Sequence, residues 1–165
     1  MKRVGIMLAL VAACGPDKDY SGKKLVEHTV TAEGVTYAVM IPEGLPKSKH
    51  DPGDWSDARV EYDFVPHVFT GPYPLDMPET EEKAKRDVPL SPEKGEVVRA
   101  VKSADQSRWS ITLTDGKKRI EASSLTKVGD KLVKCHAVQT GDGDIDNFDK
   151  TRVMLEAVCD SIKAR

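Results

Sequence analysis

The amino-acid sequence predicts an α+β fold: an antiparallel sheet of about seven strands with a C-terminal helix packed on it. Three observations predict it. Apolar and polar residues alternate in several stretches from Leu25 onward, the period of a strand with one buried face. Asp115-Gly116 and Gly129-Asp130 separate the later stretches, and such pairs accept the positive φ of hairpin turns. After Gly141 the period changes, and Phe148, Leu155, Cys159 and Ile162 fall on one helical stripe.

In chain order, residues 25–32 and 35–41 read as a hairpin around Glu33-Gly34, with Val35, Tyr37, Val39 and Ile41 pointing inward. Pro42-Glu43-Gly44 stops the second strand, and 45–56 is a polar loop with Pro46, Pro52 and Gly53. Residues 57–65 read as a third strand, with Val60, Tyr62 and Phe64 on one face. Residues 66–78 carry Pro66, Pro72, Pro74 and Pro78, which argue against a central strand. A short charged helix is expected over 79–87, then a proline-interrupted loop over 88–95. Residues 96–103, 108–114, 117–127 and 131–138 read as an antiparallel meander. In it Trp109, Ile111 and Leu113 form one buried face, answered by Ile120, Ala122 and Ser124. A final helix is expected over 146–164, capped by Asp144 or Asp146.

The chain has 165 residues, 39% hydrophobic and 32% charged, which fits one globular domain over 25–165. Its 25 Lys+Arg against 27 Asp+Glu give a net charge of −2, and its longest basic run is three residues, which argues against a nucleic-acid partner. A multi-span membrane protein is excluded, because the one long apolar run is Val4 to Ala13, ten residues long.

That run follows Lys2 and Arg3 and ends Val11-Ala12-Ala13-Cys14. A positive start, a short apolar core and small residues before a cut make an export signal over 1–13. The order aliphatic, small, small, cysteine resembles the lipobox of bacterial lipoproteins. The resemblance implies a diacylglyceryl group on the Cys14 sulfur, removal of the preceding peptide and acylation of the new amino group. The alternative is an ordinary secretory signal or a short N-terminal anchor with Cys14 as a passenger. Residues 14–24 would then be a lipidated flexible tether, of which 15–24 reach roughly 30 Å at full stretch. Gly15 rather than Asp follows the cysteine; by resemblance to lipoprotein sorting in two-membraned bacteria, this points to the outer membrane. The implied location is the bacterial cell envelope, lipid-anchored. No cofactor is expected beyond the covalent lipid on Cys14.

With Cys14 assigned to lipid, Cys135 and Cys159 remain as an even pair in an oxidising compartment. Cys135 shares a strand face with Val133 and Ala137, and Cys159 lies on the apolar helical stripe. Both point to the layer where helix meets sheet, so a disulfide is expected. Two buried free thiols, or a catalytic thiol, are the alternatives.

Two further features are the strand-to-corner run Val35-Thr36-Tyr37-Ala38-Val39-Met40-Ile41-Pro42-Glu43-Gly44 and the end Cys159-Asp160-Ser161-Ile162-Lys163. With the order of elements between 25 and 163, they resemble the PsbP-like α/β/α sandwich group. That resemblance implies binding and assembly factors, and transfers no catalytic residue.

Asp142, Asp144 and Asp146 alternate as carboxylates do in calcium loops, and they also suit the positive end of a helix. The calcium-loop comparison fails at Asn147, where a sharp turn needs Gly, and at Val153, where a bidentate Glu is needed. Phe69, Tyr73 and Met77 lie in the proline-rich stretch, as a contact surface or as a lid on the core. His28, His50, His67 and His136 show no metal-ligand spacing, and alternation turns His136 away from the face that holds Cys135. No nucleophile elbow, phosphate loop or dinucleotide fingerprint occurs. The expected function is a non-catalytic envelope lipoprotein that binds a protein partner or assists assembly. The competing expectation is a small-ligand or divalent-cation binder, with or without hydrolytic activity.

Overall fold

The computed structural model describes residues 19–56 and 66–165. Cys14 and the strand expected over 57–65 lie outside them. The first elements are β1 (Leu25–Ala32) and β2 (Val35–Pro42). They pair antiparallel through the Glu33-Gly34 turn, where both residues have positive φ (49° and 78°), as a tight hairpin needs. Val35, Tyr37, Val39 and Ile41 are buried, as the alternation requires. Gly44 then takes φ 85° and turns the chain out of this sheet.

β3 (Asp54–Trp55) and β4 (His67–Tyr73) follow, then α1 (Glu81–Asp87). The Thr80 side chain caps α1 by accepting from the Lys83 N–H, with Glu81 and Glu82 in the first turn and Lys85 and Arg86 in the last, the polarity that favours a helix dipole. The meander is β5 (Glu96–Lys102), β6 (Arg108–Asp115), β7 (Arg119–Val128) and β8 (Lys131–Thr140). The chain closes with α2 (Phe148–Asp160) and β9 (Lys163–Ala164).

The expected single sheet is two. One has three strands in the order β1-β2-β9, the other six in the order β3-β4-β8-β7-β6-β5. The corner at Gly44 separates them. The expected C-terminal helix is also shorter at both ends. Asn147, at φ 52° and with no side-chain cap bond, precedes it in place of an aspartate cap. At its end the Ser161 hydroxyl donates to the Val158 carbonyl and accepts from the Met40 N–H. This draws the chain onto β2, where Lys163 and Ala164 pair with Ala38 and Tyr37.

β4 corrects the expectation for the proline stretch: it pairs with β8 along its whole length, with Pro72 opposite Val133. The Thr70 N–H points outward to the Gly53 carbonyl. Pro72, two residues on, faces the same edge, beyond the last β3 pair at Phe69. Its missing N–H therefore removes no ladder bond.

The six-stranded sheet is covered on both faces. α2 and the smaller sheet close one side over Ile120, Ala122, Cys135, Ala137 and Val68. α1 closes part of the other over Trp109, Ile111, Leu113 and Leu125. Here the register overturns the expected shared face. Trp109 lies opposite Leu125, Ile111 opposite Ser123 and Leu113 opposite Glu121. Ile120, Ala122 and Ser124 therefore point to the other layer. The reason is the turn: Asp115 pairs with Arg119, so 116–118 is a three-residue connection. Each large aliphatic buried in these two cores contributes roughly 1.5–3 kcal/mol.

Residues 19–24, expected as tether, belong to the domain. Tyr20 is 6% exposed within the larger core, and the Glu43 N–H donates to the Lys24 carbonyl.

Candidate functional site

On the α1 side of the sheet, strand alternation sets polar residues side by side. β7 contributes Arg119, Glu121 and Ser123, β8 contributes Lys134 and His136, and β4 contributes His67 and Phe69. Glu121 is 0% exposed. A buried carboxylate needs compensation, and this one has it on both oxygens. Arg119 Nη2 donates to Oε2 at 2.5 Å. The backbone N–H groups of Leu90 (2.7 Å) and Ser91 (3.4 Å) donate to Oε1. The Ser123 hydroxyl stands 3.4 Å from Oε1, and His136 Nδ1 lies 3.4 Å from Oε1 and 3.3 Å from Ser123 Oγ.

Burial pushes the Glu121 pKa up. His136, the Arg119 hydrogen bond and the Leu90 N–H outweigh it and hold the carboxyl below its ordinary value. Burial pushes His136 down to about 4 against the pull of Glu121, with repulsion from Lys134, Arg119 and His67 adding to it. Burial also lowers the Lys134 ammonium, whose Nζ sits 5.1 Å from the centre of the Tyr73 ring. At the rim, His67 Nε2 meets Asp54 Oδ1 at 2.8 Å. Arg119 Nε and Trp55 Nε1 are buried without a hydrogen-bond partner among the described residues.

Serine, histidine and glutamate in contact suggest a nucleophile with its base, and the geometry does not supply one. A triad needs the serine on one imidazole nitrogen and the acid on the other. Here Ser123 and Glu121 both approach Nδ1. One nitrogen cannot take the serine proton while donating its own to the acid. Glu121 Oε1 pins the 88–91 strap over the sheet through the Leu90 and Ser91 amides.

Of the residues singled out in the sequence, Cys135 and Cys159 are brought together and form a disulfide, Cα to Cα 5.3 Å. Asp142, Asp144 and Asp146 are exposed, and among the described residues no three metal-ligating side chains converge. Met77 and Tyr73 pack against the smaller core, and the Tyr73 hydroxyl donates to the Asp87 carbonyl at 3.4 Å. Phe69 remains 41% exposed. The stretch thus divides into a lid and one outward aromatic. Cys14 lies outside the described residues, and none of their helices is long and apolar enough to cross a membrane.

No family model matches the chain, and no curated protein matches it. In fold it is similar to the protein Mog1. A point mutant of Mog1 overlaps 84% of this chain and 95% of its own, at 8% identity and a TM-score of 0.53. The solution structure of cyanobacterial PsbP (CyanoP) from Synechocystis sp. PCC 6803 overlaps 94% of this chain and 99% of its own, at 17% identity and a TM-score of 0.49. At such identities the likeness is one of fold, and fold alone assigns no activity.

Sequence reading missed the Arg119-Glu121-Ser123 and Lys134-His136 alternation as a site. The signal was present, since these residues interleave with Ile120, Ala122, Cys135 and Ala137. It reads as an ordinary solvated face until the strap is known to cover it.

Proposed function

We propose that the chain is a lipid-anchored protein of the bacterial cell envelope, at the outer membrane, whose domain serves as a non-catalytic protein-binding or assembly module. Val11-Ala12-Ala13-Cys14 supports the address. The observation that carries the binding role is the outer edge of β5. β5 ends the six-stranded sheet, and no strand among the described residues pairs with its far side. Val97, Val98 and Val101 are 40%, 51% and 46% exposed along it. Apolar side chains beside unpaired backbone groups are what an extended segment of another protein uses when it adds to a sheet. A register shift between Val97 and Arg99 shortens the regular part of the edge, so the matching segment is short.

The test is photo-crosslinking in intact cells from a reactive residue placed at Val98, with Glu43 as the control position. A discrete adduct from 98 that disappears in a Val101→Glu variant is expected. No adduct from 98, together with an unchanged envelope on deletion, overturns the binding role. Palmitate incorporation abolished by Cys14→Ser tests the anchor separately.

A further inference from the structure

The described chain begins pressed against the domain. Asp19 accepts hydrogen bonds from the Ser21 N–H (2.8 Å) and from Asn147 Nδ2 (2.9 Å), so the chain enters beside the start of α2. Next to this entry lies an open groove of about 460 Å³. Leu25, Val153, Met154 and Ala157 give it a mainly apolar lining, and Lys23 and Lys150 stand among its polar residues. Val153 is 57% exposed, on the outer side of α2. Asp149, which also lines the groove, faces Arg152 at 3.8 Å, so its charge is partly offset.

We propose that this groove rests on the bilayer surface, with Val153 entering the interface and Lys23 and Lys150 at the level of the headgroups. The proposal rests on lipidation of Cys14. Because Asp19 is already part of the domain, residues 14–18 are all that separates it from the lipid, roughly 17 Å at full stretch. A connection that short keeps the neighbourhood of Asp19 close to the headgroups, and the groove begins two residues on, at Ser21. The surface chemistry agrees: an apolar strip flanked by lysines suits an interface where acyl chains meet anionic headgroups. The long lysine stems let the ammonium groups stay in water while the strip is covered.

The experiment uses the full-length, lipidated protein in vesicles of phosphatidylcholine and phosphatidylglycerol, with or without brominated acyl chains. A Val153→Trp variant is compared with Val98→Trp, on the far edge of the larger sheet, after subtracting wild-type emission from the buried Trp55 and Trp109. The emission added at 153 should be blue-shifted and quenched several-fold by bromine, and that added at 98 should be unaffected. Lys23→Glu with Lys150→Glu should weaken the quenching without loss of flotation. If the protein floats with the vesicles and the emission added at 153 ignores bromine, the proposal fails while the anchor stands; the groove then faces its own acyl chain or another protein. If the protein neither floats nor incorporates palmitate, the lipidation reading fails and the proposal falls with it.

Discussion

Cys135 in β8 and Cys159 in α2 are covalently joined. β8 lies between β4 and β7 in the larger sheet, so the bond ties the helix to the sheet interior and not to its edge. With a sequence separation of 24, the chain-entropy argument gives about 3 kcal/mol of stabilisation. Cys135→Ser with Cys159→Ser, or reduction of the native protein, should lower the urea unfolding free energy by that order. An unchanged denaturation midpoint with and without reductant would refute the tie.

Glu121 and Arg119 predict an asymmetric mutational response. Glu121→Ala leaves a buried guanidinium without its carboxylate and two strap amides without an acceptor, and should cost about 3–5 kcal/mol. Arg119→Met with Glu121→Met removes both charges and should recover a large part of that loss. The Leu90 and Ser91 amides should exchange hydrogen faster in both variants. Continued protection at Leu90 in Glu121→Ala would show that the strap is held by something else.

The buried imidazole makes stability depend on pH. Folding pushes His136 down to about 4, while an unfolded histidine titrates near 6.5. Between those values the unfolded chain binds more protons, so stability is complete above about 6.5 and falls as the pH drops toward 4. Glu121, held low in the fold, acts in the same direction: its share is present above the ordinary carboxylate pKa and is lost as acid protonates it. Urea midpoints measured from pH 7 to pH 4.5 should decline, and a His136→Gln variant should decline less. Parallel curves for the two proteins would count against this assignment.

Gly53 is required by proximity. A methyl group there would collide with the Thr70 carbonyl, which belongs to the core of β4. Gly53→Ala should displace β3 from β4, cost about 1–3 kcal/mol, and expose Trp55 to acrylamide. Wild-type quenching in this variant would mean that the loop can move aside.

What the sequence revealed of this fold was local. Glu33-Gly34 and Gly129-Asp130 make their two-residue turns from local backbone preferences, and Gly116 at φ 51° opens the 116–118 turn, so the hairpins follow. The cysteine pair was readable because strand parity and helical stripe each assign one side. The division into two sheets was not, because it depends on the Gly44 corner and on Ser161 returning the chain to β2. The faces of β6 and β7 were inverted because a three-residue turn shifts parity by one position. Glu121 looked solvated because its burial comes from the 88–91 strap, about thirty positions earlier in the chain.

The shift in pairing at Val98 also bears on what this protein avoids. A straight, apolar terminal strand invites copy after copy to stack until a fibre forms. The offset between Val97 and Arg99 denies an identical neighbour a continuous ladder, so growth by self-templating stops at the first molecule. Removing that irregularity should therefore show itself as turbidity in concentrated solution before any change in the melting of a single molecule.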